Sequence, residues 1–421
     1  MQIKVKSKGI ISGRVVLPSS KSISNRALAI SALAGGLGEI SNLSDCDDTN
    51  VMVSWLTNRP DTVDIGAAGT AMRFSTALLA VGEGKHVITG SERMRNRPIG
   101  VLVDALRSLG ARIDYIEKEG YPPLAIEGCA GRLNDCVTLP GNVSSQYVSA
   151  LLMIGPVLKN GLTLTLTGKV VSRPYIDMTM MIMRQYGAYV FWVQEEGQHD
   201  KIRVLPNMYR SHSYYVESDW SAASYWYEMV ALAGNENASV ELPALFQNSM
   251  QGDSHGADVF SLLGVETVYT DDAVLLKKKP KAVERLDYDF VNMPDLAQTF
   301  VVTCCMLGVP FHFTGLESLR IKETDRIAAL ENELLKLGFR LEDRNDSELI
   351  WDGTHVSMSD DELESVAIDT YEDHRMAMAF APVAMVNGSV RINEPRVVSK
   401  SYPKYWEDLS AMGFEIKDIG E

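Results

Sequence analysis

The stretch Leu102 to Ile116, LVDALRSLGARIDYI, decides the fold. Leu102, Val103, Leu106 and Leu109 fall on one face of a helix, Gly110 follows where a left-handed cap fits, and Ala111, Ile113 and Tyr115 then alternate with polar residues as in a strand. The same helix, glycine and strand recur as MMIMRQYGAYVFWV (180–193), ADVFSLLGVETVYT (257–270), LENELLKLGFRLED (330–343) and WEDLSAMGFEIKDI (406–419). The glycines at 110, 187, 264, 338 and 413 are separated by 77, 77, 74 and 75 residues. A repeat of that length is too long for a solenoid unit and reads as a small α/β subdomain used several times. Val51 to Ile65 reads as the remnant of one more, shortened copy, a helix running into its strand without the glycine turn. Six units make two domains of three.

The 421 residues accommodate two or three domains at roughly 150 residues each. With 46% apolar and 23% charged residues the chain is an ordinary globular one. Its net charge of −15 repels phosphate backbones and anionic membranes, so neither nucleic acid nor membrane is expected as a partner. Five cysteines (46, 129, 136, 304, 305) without CxxC spacing read as reduced core thiols, with no disulfide or zinc framework. The N-terminal MQIKVKSKG alternates like a strand and has no signal-peptide core, so a cytoplasmic location is expected. Phe300 to Phe313 is too short for a membrane helix and reads as a core helix followed by a strand. Gln194–Asp200 and Glu342–Ser347 read as hairpin loops. Asp45, Asp47 and Asp48 read as a solvated loop and helix cap; no metal site is expected.

Several helices begin with cations. Leu17–Arg26 (LPSSKSISNR) turns at proline into a helix, with Ser22 and Arg26 on one face and Lys21 at its start. Unpaired N–H groups and the positive dipole end make such a start an anion site. Gly66–Thr70 precedes a helix carrying Arg73, Ser144, Ser145 and Gln146 open another, and Arg93, Arg95 and Arg97 stand before a helix expected to open at Pro98. Arg320, Lys322 and Arg326 precede the helix IAALENELLKL, and His374 and Arg375 precede MAMAFAPVAM. In a chain of net charge −15, cations gathered this way imply bound multivalent anions, each charge-assisted hydrogen bond contributing roughly 1.5–3 kcal/mol. Asp295 and Glu323 lie among them as candidate proton-transfer groups, with opposing effects of burial and charge on each.

These residues resemble the 5-enolpyruvylshikimate-3-phosphate synthase family over essentially the whole chain. The matching stretches, in the family's order, are LPSSKSISNRALAISALA, GAAGTAMRF, RMRNRPIGVLVDALRSLGA, VSSQYVSALLM, SRPYIDMTM, VESDWSAASY, NSMQGD, NMPDLAQT, LRIKETDRI, YEDHRMAMAF and KSYPKYWEDL. The resemblance implies an inside-out α/β barrel in two domains, residues 1–19 with 217–421 and residues 20–216, each of three βαβαββ units with the first one shortened, closing on the substrates. It also implies transfer of the carboxyvinyl group of phosphoenolpyruvate to the 5-hydroxyl of shikimate 3-phosphate, without cofactor or metal, by a cytoplasmic monomer of the shikimate pathway. By motif, Lys21, Gly69, Arg97, Gln146, Arg326, Arg375 and Lys400 would hold phosphoenolpyruvate. Lys21, Ser22, Arg26, Ser144, Ser145, Gln146, Ser172, Tyr175, Asp295, Ser318 and Lys322 would hold shikimate 3-phosphate. Asp295, Glu323, Lys322 and His374 would serve catalysis, and Asp219 would lie near the hinge. The chain departs from the family pattern at Ser19, Ala67, Phe74 and Ser318, which bears on phosphoenolpyruvate and on the inhibitor glyphosate as a ligand. The competing readings are a non-catalytic anion-binding paralogue, which would not need Asp295 and Glu323, and a UDP-N-acetylglucosamine enolpyruvyl transferase, which would want a reactive cysteine near residue 90.

Overall fold

A computed structural model describes residues 1–193 and 199–420, so most of the expected Gln194–Asp200 loop lies outside the described residues. The chain divides into two compact units, residues 1–18 with 217–421 and residues 19–216. The five glycines that punctuate the repeat have φ of +103°, +89°, +100°, +87° and +96°. A side chain is strained in that region, which is why glycine recurs there. Each follows a helix and precedes a strand, as in Gly100–Ser108 then Arg112–Tyr115, or Arg326–Lys336 then Glu342–Arg344.

One repeat shows the plan. Strand Cys136–Pro140 leads to helix Ser145–Ile154, strand Leu162–Thr167 lies parallel to the first, helix Arg173–Gln185 follows, and strands Val190–Val193 and Asp200–Val204 form an antiparallel hairpin. The fourth strand pairs with the second, giving the spatial order 3-4-2-1. Four other four-stranded sheets have the same order. In the last repeat the fourth strand is Gln2–Lys6 from the chain's beginning, paired with Ser389–Asn393 and Glu415–Gly420.

The shortened repeat is organised differently from the expectation. Thr62–Asp64 does not complete it: this strand pairs in parallel with Lys85–Thr89 and opens the next sheet. The first repeat keeps helices Lys21–Leu33 and Asp47–Asn58 and a two-stranded parallel ribbon of Ile40–Ser41 with Tyr214–Tyr215. Its second helix ends at Arg59, left-handed at φ +45°, with its N–H bonded to the Trp55 carbonyl at 2.8 Å. The chain changes unit by an exchange. Strand Ser12–Arg14 is followed in sequence by helix Lys21–Leu33 of the other unit, and strand Tyr214–Tyr215 by helix Trp220–Leu232 of the first. Asp219 caps that helix, and its N–H meets the Pro18 carbonyl at 2.9 Å, so it stands where the two crossings lie side by side.

Each core is made of helices. Every residue of Gly69–Val81 and of His374–Phe380 is buried, as are nearly all of Ala297–Leu307 and Trp220–Leu232. Helices apolar all round belong inside. The sheets lie outside them with one face inward, as the alternation of Leu162–Thr167 (LTLTLT) shows. This is the inside-out arrangement, built of separate sheets and not of one closed ladder. Phe300 stacks on Phe260 at 4.3 Å and packs beside Phe290 in the first unit, each such ring contributing roughly 1.5–3 kcal/mol by burial. The Phe300–Phe313 run is helix Ala297–Leu307 followed by strand Phe311–Thr314.

Three local expectations are corrected. Pro98 lies outside its helix, which begins at Gly100, and Arg93 and Arg95 belong to a separate short helix, Glu92–Arg95. Cys46, Cys304 and Cys305 are buried free thiols, but Cys129 is half-buried and Cys136 exposed. Glu342–Arg344 is a strand, leaving a turn with Asn345 and Asp346 left-handed. Among the described residues no helix is long and apolar enough to cross a membrane.

Candidate active site

In the unit of residues 19–216, four helix starts are tied to one another. Ser20 caps the first helix, and Lys21 and Ser22 occupy its first turn. Gly69 and Thr70 begin the second, Ser144 and Ser145 the third, and Ser172 the fourth, where it sits left-handed at φ +53°. Gln146 Nε2 donates to Thr70 Oγ1 at 3.2 Å. Arg97 lies against Gly69 so closely that a Cβ there would stand 2.6 Å from its Nη1. Arg73, for which the sequence implies no role, fixes this contact by donating to the carbonyls of Gly69 at 3.1 Å and Pro98 at 3.0 Å.

Arg26 is 2% exposed. It donates to Thr179 Oγ1 at 2.7 Å, the Ser22 carbonyl at 2.9 Å, Ser149 Oγ at 3.2 Å and the Tyr175 carbonyl at 3.4 Å. Phe74, the departure from the family pattern, lies under its guanidinium at 5.4 Å. Among the described residues no carboxylate balances this cation, and burial lowers its pKa to about 10. Lys21 does face one: its Nζ is 3.8 Å from Asp48, which is 3% exposed. Asp48 is therefore not the solvated cap expected, and Cys46 precedes the helix without a side-chain cap bond.

In the other unit the predicted residues form one ionic cluster around Arg326, which is 1% exposed. Its Nε reaches Asp373 at 2.7 Å, Nη1 reaches Asp295 at 3.0 Å and Nη2 reaches Glu323 at 2.8 Å. Asp295 also meets Lys322 Nζ at 3.3 Å and Arg375 Nη2 at 3.3 Å, and Glu323 meets Lys400 Nζ at 3.2 Å. Helix starts place these groups: Asp325 caps the helix of Arg326, and Asp373 caps the helix of His374 and Arg375. Asp295 lies in the turn Pro294–Leu296 and, instead of capping, spends both carboxylate oxygens on cations. His374 is buried with Nδ1 3.6 Å from Asp373, and Ser318 has a buried hydroxyl without a hydrogen-bond partner among the described residues. Arg320 turns away to Asp325, Asp343 and Asp346 and does not join the cluster. Arg95 likewise pairs with Glu117 at 3.3 Å.

Burial alone would raise the Asp295 carboxyl, but Arg375, Lys322 and Arg326 outweigh it and hold the group well below the usual carboxylate range. Asp253, which sequence reasoning missed, behaves oppositely. It accepts a hydrogen bond from Ser221, keeps its other oxygen buried without a partner among the described residues, and is pushed up to about 7 by burial and by the charge of Asp295. A buried acid of this kind beside an ionised one separates proton donor from acceptor. Arg375 Nη2 also reaches Ser221 Oγ at 3.5 Å, linking the two carboxyls. Among the described residues no group of three or more His, Cys, Asp or Glu is arranged to hold a metal ion.

In the unit of residues 19–216 the helix starts carry lysine and serine suited to anions, and in the other unit an ionised carboxylate is held among cations. Residues 5–59 and 54–409 match the family EPSP synthase (3-phosphoshikimate 1-carboxyvinyltransferase). The chain is 58% identical over 411 residues to a 3-phosphoshikimate 1-carboxyvinyltransferase of Bacteroides fragilis, covering 98% of this chain and 97% of that one. It is 37% identical over 429 residues to the protein of that name from Vibrio cholerae, covering 96% and 97%. The EPSP synthase structure from Acinetobacter baumannii matches in fold at a TM-score of 0.74 and 20% identity, over 99% of this chain and 100% of that one. The chain belongs to the EPSP synthase family.

Proposed function

We propose that the protein transfers the carboxyvinyl group of phosphoenolpyruvate to the 5-hydroxyl of shikimate 3-phosphate and releases phosphate. Protonation of C3 of the enol makes C2 electrophilic, the hydroxyl adds to C2, and a tetrahedral ketal phosphate forms. Loss of the C3 proton and of phosphate then gives the enol ether. The observation that carries this reading is Asp295, a carboxylate held ionised by three cations. An ion so strongly stabilised is a weak base, but the carboxylate and phosphate of phosphoenolpyruvate would take over Arg326 and Arg375, and the acceptor strength of Asp295 would rise as those cations are neutralised. Asp295 then accepts the 5-hydroxyl proton. Glu323, paired with Lys400 at 3.2 Å, exchanges the proton at C3 in this reading, and Lys322 and His374 assist.

Lys21, Gly69, Arg97, Gln146, Arg326, Arg375 and Lys400 serve phosphoenolpyruvate in this reading. Lys21, Ser22, Arg26, Ser144, Ser145, Gln146, Ser172, Tyr175, Asp295, Ser318 and Lys322 serve shikimate 3-phosphate. The charge of Arg26, which no carboxylate among the described residues balances, supports a carboxylate ligand, and the hydroxyls and N–H groups opening the third helix support a phosphate. Glyphosate, a small anion, would compete at the phosphoenolpyruvate groups. Free buried thiols support a reducing, cytoplasmic setting, and the enzyme acts as a monomer. The test is phosphate release on mixing the protein with both substrates, each omitted in turn. Release that needs both, with the enol ether detected, supports the transferase; binding of shikimate 3-phosphate without release would favour the non-catalytic paralogue.

A further inference from the structure

The segment that delivers Asp373, His374 and Arg375 is bent in an unusual way. Tyr371 and Glu372 are consecutive left-handed residues, at φ +52° and +54°. Neither is glycine, and such a pair persists only where its surroundings over-determine it. The helix Arg326–Lys336 supplies those surroundings from two points seven residues apart, on one face. At its start Arg326 Nε grips Asp373 at 2.7 Å. Two turns on, Glu333 takes the hydroxyl of Tyr371 on Oε1 at 2.6 Å and the N–H of Asp369 on Oε2 at 3.0 Å. Lys336 closes the far side, meeting Glu333 at 2.6 Å and Asp369 at 2.8 Å. Glu333 is fully buried. Burial and the Glu333 carboxylate raise the pKa of Tyr371, so the phenol keeps its proton and remains the donor.

None of Glu333, Lys336, Asp369 or Tyr371 belongs to the ionic cluster, yet together they fix the backbone from which Asp373 and Arg375 emerge. We propose that Glu333 and Tyr371 are positioning residues for phosphoenolpyruvate capture, holding the left-handed turn at 371–372 so that Asp373 orients Arg326 and Arg375 points at the anion. Without the strap the turn relaxes toward ordinary backbone conformations and both arginines lose their aim. The loss falls on phosphoenolpyruvate selectively, because the shikimate 3-phosphate groups are mostly borne by helix starts of residues 19–216. This inference rests on the activity proposed above.

The test uses the full chain with Tyr371→Phe, Glu333→Gln, Glu372→Gly and the double variant Tyr371→Phe with Glu372→Gly. Steady-state kinetics are read for each substrate, with a thermal melt of every variant. Tyr371→Phe is expected to raise the KM for phosphoenolpyruvate about tenfold, equivalent to roughly 1.4 kcal/mol, with the KM for shikimate 3-phosphate changed less than about twofold. Glycine adopts the left-handed region freely, so Glu372→Gly in the Tyr371→Phe background should recover about threefold of that loss. A general structural role would move both KM values together with the melting temperature. Unchanged kinetics in Tyr371→Phe and Glu333→Gln, or equal losses for both substrates, overturn the inference while leaving the activity intact. A wild-type chain that releases no phosphate overturns the activity, and this inference with it.

Discussion

Asp253 gives the sharpest prediction. Its carboxyl is 4% exposed, bonded to Ser221 through one oxygen, and pushed up to about 7 from an ordinary value of 3.8. Below pH 7 the folded protein therefore holds a proton that the unfolded chain has already released. Unfolding releases that proton, so raising the pH favours the unfolded state, and stability falls as pH climbs from about 4 to the folded pKa. Each pH step in that window removes about 1.4 kcal/mol, so between pH 5.5 and pH 7 this group costs the wild type roughly 2 kcal/mol, with little further change above. Asp253→Asn keeps the shape and has no proton to lose. Urea unfolding of wild type and variant at pH 5.5, 6.5, 7.5 and 8.5, with one buffer and ionic strength, should show the variant gaining on the wild type by about 2 kcal/mol across the series. Subtracting the two curves removes every other titrating group that the substitution leaves alone. Parallel curves would refute the claim that Asp253 is a neutral acid in the folded state. A gap that widens toward low pH would refute the sign, placing Asp253 with the cation-stabilised carboxylates.

Asp295→Ala should lower kcat by about 10²- to 10⁴-fold while shikimate 3-phosphate binding, followed by calorimetry, changes only a few-fold; matching losses would remove it as the proton acceptor. Gly69→Ala puts a Cβ 2.6 Å from Arg97 Nη1, and the guanidinium must move. The KM for phosphoenolpyruvate should rise about tenfold with that for shikimate 3-phosphate unaffected, and an unchanged value would show that Arg97 does not act from this position. Arg26→Met should weaken shikimate 3-phosphate binding yet raise the unfolding free energy of the unliganded chain by about 1–3 kcal/mol, because it removes a buried cation that no carboxylate among the described residues balances. Ser149, Thr179 and the Tyr175 carbonyl stay bonded to one another without it, at 2.8 Å each. A destabilised variant would mean that the four neutral acceptors offset the desolvation of the guanidinium.

What the sequence makes legible is what local physics dictates. A helix that must turn sharply into a strand needs a residue tolerant of positive φ, so the glycines at 110, 187, 264, 338 and 413 announce the repeat without tertiary information. Cations at helix starts announce an anion site for the same reason. Asp48 and Asp253 were not legible, because an acidic residue near a helix start is a cap in one fold and a buried acid in another. Only the elements packed over it decide. Lys322 and Arg320, two residues apart, read alike in sequence, yet one reaches Asp295 and the other three carboxylates outside the cluster. The strand Thr62–Asp64 was assigned to the wrong repeat because a strand belongs to the sheet it pairs with, and here its partner, Lys85–Thr89, comes after it.

The shortened first repeat follows a logic that the site explains. In every repeat the residues proposed for the site, and the acids beside them, stand where a strand gives way to one of its two helices: Lys21, Ser22 and Asp48 in the first, Gly69 and Arg97 in the second, Ser145 and Ser172 in the third. In the other unit the same places hold Asp219 and Asp253, then Asp295 and Arg326, then Arg375 and Lys400. None of these residues lies on the third or fourth strand of its repeat, the hairpin that covers the outside of the helices. The first repeat has lost that hairpin and kept both helices. A groove of about 560 Å³ lined in part by Leu33, Trp55 and Leu56 lies beside the two helices. It touches no anion-binding helix start. Truncation there costs covering surface and spares chemistry, whereas an equal deletion of either helix would remove Lys21 or Asp48.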